Sequence, residues 1–295
     1  MNTPDFEQKI ASFGREITLD AVAGTRNLVQ PLISPSIMDN VAVRRDVQYG
    51  DDPRNRLDVF TAKDNHDAGR PVLMFIHGGG FIGGDKSAPD TPFFENIGAW
   101  AVNNGFTGVN MTYRLAPDHQ WPSGVEDIRA AIEYLQTHAS ELGVNPEQLF
   151  LIGQSAGGAH VAAYLAHPEV YGHAGHGLKG AILLSAVYDF VTMPSTDKEQ
   201  AYLGTDESLY AERSSLHGLT KTKLPLLVTM AQYDPPEFQA QTLQFLQAYH
   251  NQRRDLPAFI FLLRQNHFTS AMCLGLQGDM LAPELLLFLQ EHSGQ

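Results

Sequence analysis

Read as apolar against polar positions, the chain changes character near residue 40. Before it, Phe6, Ile10, Phe13, Ile17, Ala21 and Val22 recur at helical spacing, and the stretch closes in the proline-bearing "QPLISPS", a boundary signal. The pattern predicts a helical arm over 1–40 ahead of a main domain over 41–295. The main domain begins with "VAVRRDVQY" and "RNRLDVFTA", β-rich segments joined by the turn-like "GDDP" and read as edge strands. The unbroken apolar run "RPVLMFIH" then reads as a buried strand. From there strand-like and helix-like segments alternate: "FTGVNMTYR", the helix "GVEDIRAAIEYLQTHASEL", "QLFLIGQ", a helix after Ser155, "KGAILLSAV", "PLLVTMAQY", the helix "PEFQAQTLQFLQAYHNQ", "PAFIFLLR", and a last helix ending in "PELLLFLQEH". Such alternation predicts an α/β fold with a mostly parallel eight-stranded sheet and helices on both faces. Between 188 and 222 the pattern lapses into a polar stretch too long for an ordinary strand-to-helix connection. Short helices are expected there, forming a small, partly hydrated cap over the carboxyl ends of the strands.

Charge and composition narrow the classes. The net charge of -13 over 295 residues, with no run of lysine or arginine against it, repels phosphate backbones and anionic headgroups. Nucleic-acid and membrane-surface roles are therefore not expected. Cys273 is the single cysteine, so neither an intrachain disulfide nor a cysteine zinc cluster is available. The segment "MNTPDFEQKIASFGREITLDAV" carries acidic residues without an apolar core, unlike a signal peptide, and no apolar run approaches the roughly 20 residues of a membrane span. A cytoplasmic protein is the expectation.

Candidate chemistry gathers at predicted strand ends, where parallel sheets bind their ligands. Ser155 lies between Gly153 and Gly157 at a strand-to-helix junction. Small residues there allow a tight turn that exposes the hydroxyl; a helix N-cap serine is the plainer reading of the same residues. "FIHGGGFIGGDKS" places consecutive glycines after the third strand, where bare backbone N–H groups suit an oxyanion hole. A phosphate-binding P-loop is excluded, because Asp85 stands where a glycine must precede Lys86 and Ser87. Neither glycine cluster carries the dinucleotide fingerprint G-x-G-x-x-G. Asp234 follows the strand "PLLVTMAQY" and His267 follows "PAFIFLLR", so Ser, Asp and His occur in the order known for nucleophile-elbow hydrolases. Glu237, one turn further on, is the alternative carboxylate. His250 and His292 fall within a helix and near the terminus, which leaves His267 without a close rival.

Other residues take plainer readings. His167, His173 and His176 in "HPEVYGHAGHG" read as a surface loop and not a metal site, since no carboxylate with ligand spacing stands beside them. Cys273 reads as a buried small hydrophobe. Glu126 and Asp127 open a helix and favour its dipole. Phe81, Trp121 and Tyr188 are candidates for an acyl or alcohol pocket, with core packing as the competing assignment.

Together HGGG, GQSAGG, "YRLAPDHQWPSGVEDIRAAIEYL", DPPEF and NHF resemble the hormone-sensitive-lipase-like branch of the α/β-hydrolase carboxylesterases over about residues 55–290, and the arm resembles that family's N-terminal cap. The resemblance implies Ser155 as nucleophile, His267 as general base and Asp234 as its orienting acid. It implies an oxyanion hole from the backbone N–H groups of Gly79, Gly80 and Ala156, a small-molecule ester as substrate, and no cofactor or metal. Gln154 departs from the aspartate more common at that elbow position. GQSAGGAH and NHF are also similar to arylformamidases, so an amidase with the same triad stays open. A small-molecule receptor is the reading from another class, since plant gibberellin receptors share this fold. They lack the catalytic histidine, whereas His267 is available here. A homodimer is compatible with all of these features.

Overall fold

The computed structural model describes residues 4–63, 69–171 and 177–294. Eight strands form one sheet in the order β1-β2-β4-β3-β5-β6-β7-β8. They are β1 (Val41–Gln48), β2 (Arg56–Ala62), β3 (Arg70–Ile76), β4 (Thr107–Met111), β5 (Val144–Gln154), β6 (Leu178–Leu184), β7 (Leu226–Tyr233) and β8 (Ala258–Asn266). The β1–β2 and β2–β4 pairs are antiparallel and the other pairs parallel. β2 was expected at an edge, yet it pairs on both sides, and its Leu57, Val59 and Phe60 are buried. The edges are β1 and β8.

The apolar runs reflect two buried faces. Because strand side chains alternate, Val72, Met74 and Ile76 of β3 enter one core while Leu73 and Phe75 enter the other. β5 divides likewise, Leu149 and Leu151 against Phe150 and Ile152. The helices that matter below are α1 (Pro4–Ser12), α2 (Leu19–Val29), α3 (Glu95–Asn103), α4 (Ser123–Thr137), α5 (Ala156–Ala166), α6 (Asp197–Leu203), α7 (Pro236–Arg253) and α8 (Ala282–Ser293). The first core is closed by Ile128 and Leu135 of α4, Val161 and Leu165 of α5 and Phe245 of α7. The second is closed by Ile97 and Trp100 of α3 and Leu285 and Phe288 of α8.

The segment read as a helical arm holds α1, α2 and two short 3-10 helices, Gln30–Leu32 and Pro35–Met38, among its described residues. Gly14 adopts φ 74° just past α1, which breaks the helical run, and Ile17 falls in the break, 37% exposed. Thr18 caps α2 by accepting a hydrogen bond from the N–H of Ala21. Phe6, Ile10, Val29 and Ile33 pack on Phe93, Met272 and Cys273 of the main body. Within 188–222, α6 starts with a capping box between Thr196 and Glu199. Phe190, Met193, Tyr202, Leu203 and Tyr210 of that segment are buried in one apolar cluster with Phe81 and Ala156.

Candidate active site

Four strand ends meet here. Ser155 directly follows β5, His77 follows β3, Asp234 follows β7 and His267 follows β8. At the first, the chain reverses into α5 with Ser155 at φ 55°, ψ -121°, a strained setting for a residue with a side chain. Close packing enforces the turn. A Cβ on Gly157 would lie 2.2 Å from the Ile76 carbonyl oxygen, and one on Gly153 2.5 Å from the Gly157 carbonyl oxygen. The Ser155 N–H donates to the Leu184 carbonyl at 2.9 Å, tying the elbow to β6. Ala156 opens α5, so its own N–H has no partner within the helix.

The glycine loop is held from below. Arg54 donates to the Gly84 carbonyl (2.9 Å) and the Tyr113 carbonyl (3.1 Å) and pairs with Asp85 (3.1 Å). The Tyr113 hydroxyl donates to the His77 carbonyl at 2.9 Å, and its ring stacks on the His77 imidazole at 4.4 Å. Burial pushes His77 down to about 4, so it is a neutral structural group at neutral pH. Gly79, at φ 142°, leaves no room for a side chain: a Cβ there would lie 2.0 Å from the Gly83 carbonyl oxygen.

His267 is 3% exposed and its Nδ1 lies 2.8 Å from Asp234 Oδ1. Its Nε2 is buried with no hydrogen-bond partner among the described residues. The other carboxylate oxygen of Asp234 accepts from Ser185 Oγ and from the Ala231 N–H, both at 2.7 Å. Glu237 sits half-buried in the first turn of α7, and the hydrogen bond to His267 comes from Asp234. Gln154 Nε2 donates to the His267 carbonyl at 2.9 Å, coupling the elbow to the histidine turn. Ser185, Gln154 and Arg54 are thus parts of the site that sequence reasoning missed. Gln154 alone left a signal, as the departure from the commoner elbow.

Of the three pocket candidates, two lie beside the elbow. Phe81 is buried at φ 69°, stacked on Tyr202 (4.6 Å) and edge-on to His160 (5.3 Å), in a cluster with Ala156 and Phe238. Trp121 packs against this cluster and Phe238 meets the His267 ring edge-on at 4.6 Å. Tyr188 is different: fully buried, it stacks on Phe245 of α7 at 4.7 Å and belongs to the first sheet core. It comes four residues after β6 with its ring on α7, the core packing that stood as the competing assignment. A cavity of about 310 Å³ lies within the 188–222 segment, lined by Phe190, Val191, Met193, Ser195, Glu207 and Tyr210.

Further expectations change in detail. Asp127 does more than favour a dipole, since its carboxylate accepts from the Arg114 N–H (2.7 Å) and Nε (2.8 Å) while Glu126 takes Arg114 Nη2 at 3.0 Å. His167 does have a carboxylate neighbour, Glu169, at 3.0 Å. His173 and His176 lie outside the described residues, and among those described no group of three or more His, Cys, Asp or Glu is arranged to hold a metal ion. Cys273 is buried, and burial pushes its thiol well up, as befits an interior hydrophobe. Among the described residues no helix is long and apolar enough to cross a membrane.

Comparison with known proteins agrees with this architecture. The chain is similar to esterase B from Lactobacillus rhamnosis, with a TM-score of 0.74 and 18% identity over 99% of this chain and 98% of that one. It is 33% identical over 120 residues to esterase LipC of Mycobacterium tuberculosis, covering 41% of this chain and 28% of that protein. It is 29% identical over 182 residues to the probable carboxylic ester hydrolase LipM of the same organism, covering 59% of this chain and 41% of LipM. The matches to LipC and LipM therefore span less than half the length of those two relatives. The BD-FAE family model matches residues 57–244, from β2 through the glycine loop, the Ser155 elbow and Asp234 into α7. With more than half its length under that model and an α/β-hydrolase sheet beneath it, the chain belongs to the BD-FAE family.

Proposed function

We propose that this protein is a serine carboxylesterase acting on small, mostly apolar carboxylic esters through an acyl-enzyme on Ser155. One observation carries the reading: His267 turns Nδ1 to a buried carboxylate and leaves Nε2 unpartnered in a site that also holds a strained serine at the strand-to-helix turn. With Nδ1–H donated to Asp234, the Nε2 lone pair is the one free to take a proton. His267 takes it from the Ser155 hydroxyl as the oxygen attacks the ester carbonyl. The N–H groups of Gly79, Gly80 and Ala156 receive the negative charge that develops on the carbonyl oxygen. The protonated imidazole then gives its proton to the departing alcohol, and water, deprotonated by the same nitrogen, releases the acid. No step calls for a metal or cofactor. The ester names of the curated relatives support the reaction class. The rings of Phe81, Trp121, Phe190 and Tyr202 crowd the elbow side, which supports short acyl groups.

The test compares kcat/KM at neutral pH for a butyrate ester, a dodecanoate ester and N-formylkynurenine, with Ser155→Ala as control. The butyrate ester should lead, and the control should lose roughly 10³-fold or more. An order-of-magnitude lead for N-formylkynurenine would assign the site to formamide hydrolysis; undiminished activity in Ser155→Ala would remove the serine mechanism.

A further inference from the structure

The arm meets the main body beside both partners of Ser155. Asn266, the last residue of β8, is 2% exposed and organises the turn that carries His267. Its Oδ1 accepts from the Phe268 N–H (3.1 Å) and the Thr269 N–H (3.2 Å), while Thr269 Oγ1 donates to the Asn266 carbonyl at 2.8 Å. These bonds occupy the oxygen side of the amide. The nitrogen side donates to Thr25 Oγ1 of α2 at 2.8 Å, across 241 residues of sequence, and Thr25 is itself fully buried. Thr25 lies on the inward stripe of α2 between Ala21 and Val29. On the Asp234 side, Arg15 donates to the Gln232 carbonyl at 2.8 Å, and Tyr233 packs in the same apolar cluster as Phe6, Ile10 and Phe268.

We infer that Thr25 is a positioning residue, and that the arm braces the His267 turn through the Thr25–Asn266 hydrogen bond so that turnover depends on it. The inference rests on the reading of His267 as the base. An amide nitrogen buried without an acceptor is costly, so removing the hydroxyl while keeping its volume forces the Asn266 amide to turn, and that releases the two N–H groups that fix the backbone after His267, whereas a variant with room for water can satisfy the nitrogen and keep them. A base displaced by a fraction of an ångström loses in the chemical step while leaving substrate binding intact. The arm thereby acts on kcat, where a covering lid would act on which substrate enters.

The experiment uses the full chain with Thr25→Val, which keeps the shape and removes the hydroxyl, Thr25→Ser, which restores it, and Thr25→Ala, which leaves room for water. Competent sites are first counted by stoichiometric labelling with a fluorophosphonate, so that kcat per site is independent of any unfolded fraction. For Thr25→Val, kcat per site on a butyrate ester should fall about tenfold with KM within about twofold; Thr25→Ser should stay within about twofold of the parent, and Thr25→Ala between them. The downfield Nδ1 proton of His267 in proton NMR should broaden or shift in Thr25→Val and return in Thr25→Ser. Equal kcat per site in all three variants, or a loss confined to KM, overturns the positioning role. Failure of the parent to be labelled at Ser155 overturns the serine-esterase reading instead, so the two outcomes are separable.

Discussion

Replacing Asp234 by asparagine tests the proposed relay most sharply, because the surroundings dictate how the new amide must lie. Asp234 presents one oxygen to His267 Nδ1 at 2.8 Å and the other to two donors, Ser185 Oγ and the Ala231 N–H, both at 2.7 Å. An asparagine has only one oxygen. If it faces Ser185 and Ala231, the amide NH2 faces His267 Nδ1, which must then accept; the imidazole proton moves to Nε2 and that nitrogen can no longer take the Ser155 proton. In the reverse orientation the NH2 meets the Ala231 N–H, a buried donor against a donor, while the Ser185 hydroxyl can turn and accept. Stranding one buried donor costs about 1–3 kcal/mol, so the unproductive orientation is favoured by roughly 5- to 150-fold. The loss of the negative charge that steadies the imidazolium adds to this, and a fall in kcat/KM of about 10³–10⁴ is expected with the fold retained. The assay is ester hydrolysis normalised to folded protein by circular dichroism, with Glu237→Gln as the parallel variant, expected within about threefold of the parent. Near-parental activity in Asp234→Asn together with a large loss in Glu237→Gln would refute the assignment and move the acid to the helix.

Two further outcomes concern stability. Gly157→Ala should destabilise by at least about 3 kcal/mol or fail to accumulate, because the added carbon would lie 2.2 Å from the Ile76 backbone oxygen and neither strand nor helix can yield cheaply. Gly83→Ala, whose added carbon meets nothing closer than 3.8 Å, is the control; equal urea midpoints for the two would disprove the close-packed elbow. The second outcome is acid lability: burial first, and for His160 the neighbouring His77 as well, lowers His77 to about 4 and His160 to about 3 from an ordinary 6.5. The unfolded chain therefore binds more protons than the folded one below 6.5, so this stability is fully present above 6.5 and is lost as pH falls toward 4. His77 alone accounts for about 3 kcal/mol of it. Unfolding midpoints measured at pH 7 and pH 4.5 should show the drop, and His160→Gln should flatten part of it; a pH-independent midpoint would contradict the burial argument.

Local signals carried a great deal of this protein. Apolar runs bounded by glycine marked the strands, and since a parallel strand is buried on both faces, β3 and β5 were legible without any alternation to read. The elbow, the glycine loop, Asp234 and His267 were legible because each follows a strand directly, and strand ends are local events. What the sequence could not decide depends on contacts between segments far apart in the chain. The inner position of β2 follows from its pairing with β4, and the placement of Tyr188 in the core from the ring of Phe245 on α7. The burial of Phe190, Tyr202 and Tyr210 within the polar 188–222 segment follows from which side chains face the Phe81 cluster, and composition averages the two sides. Ser185 holding Asp234, Gln154 holding the His267 carbonyl and Thr25 holding Asn266 join residues 49, 113 and 241 positions apart. Gln154 shows only as a departure from the commoner elbow, and each of the other two is a short polar side chain of a common type that nothing in its own neighbourhood distinguishes. Only folding brings it within hydrogen-bond distance of the one group that gives it a role.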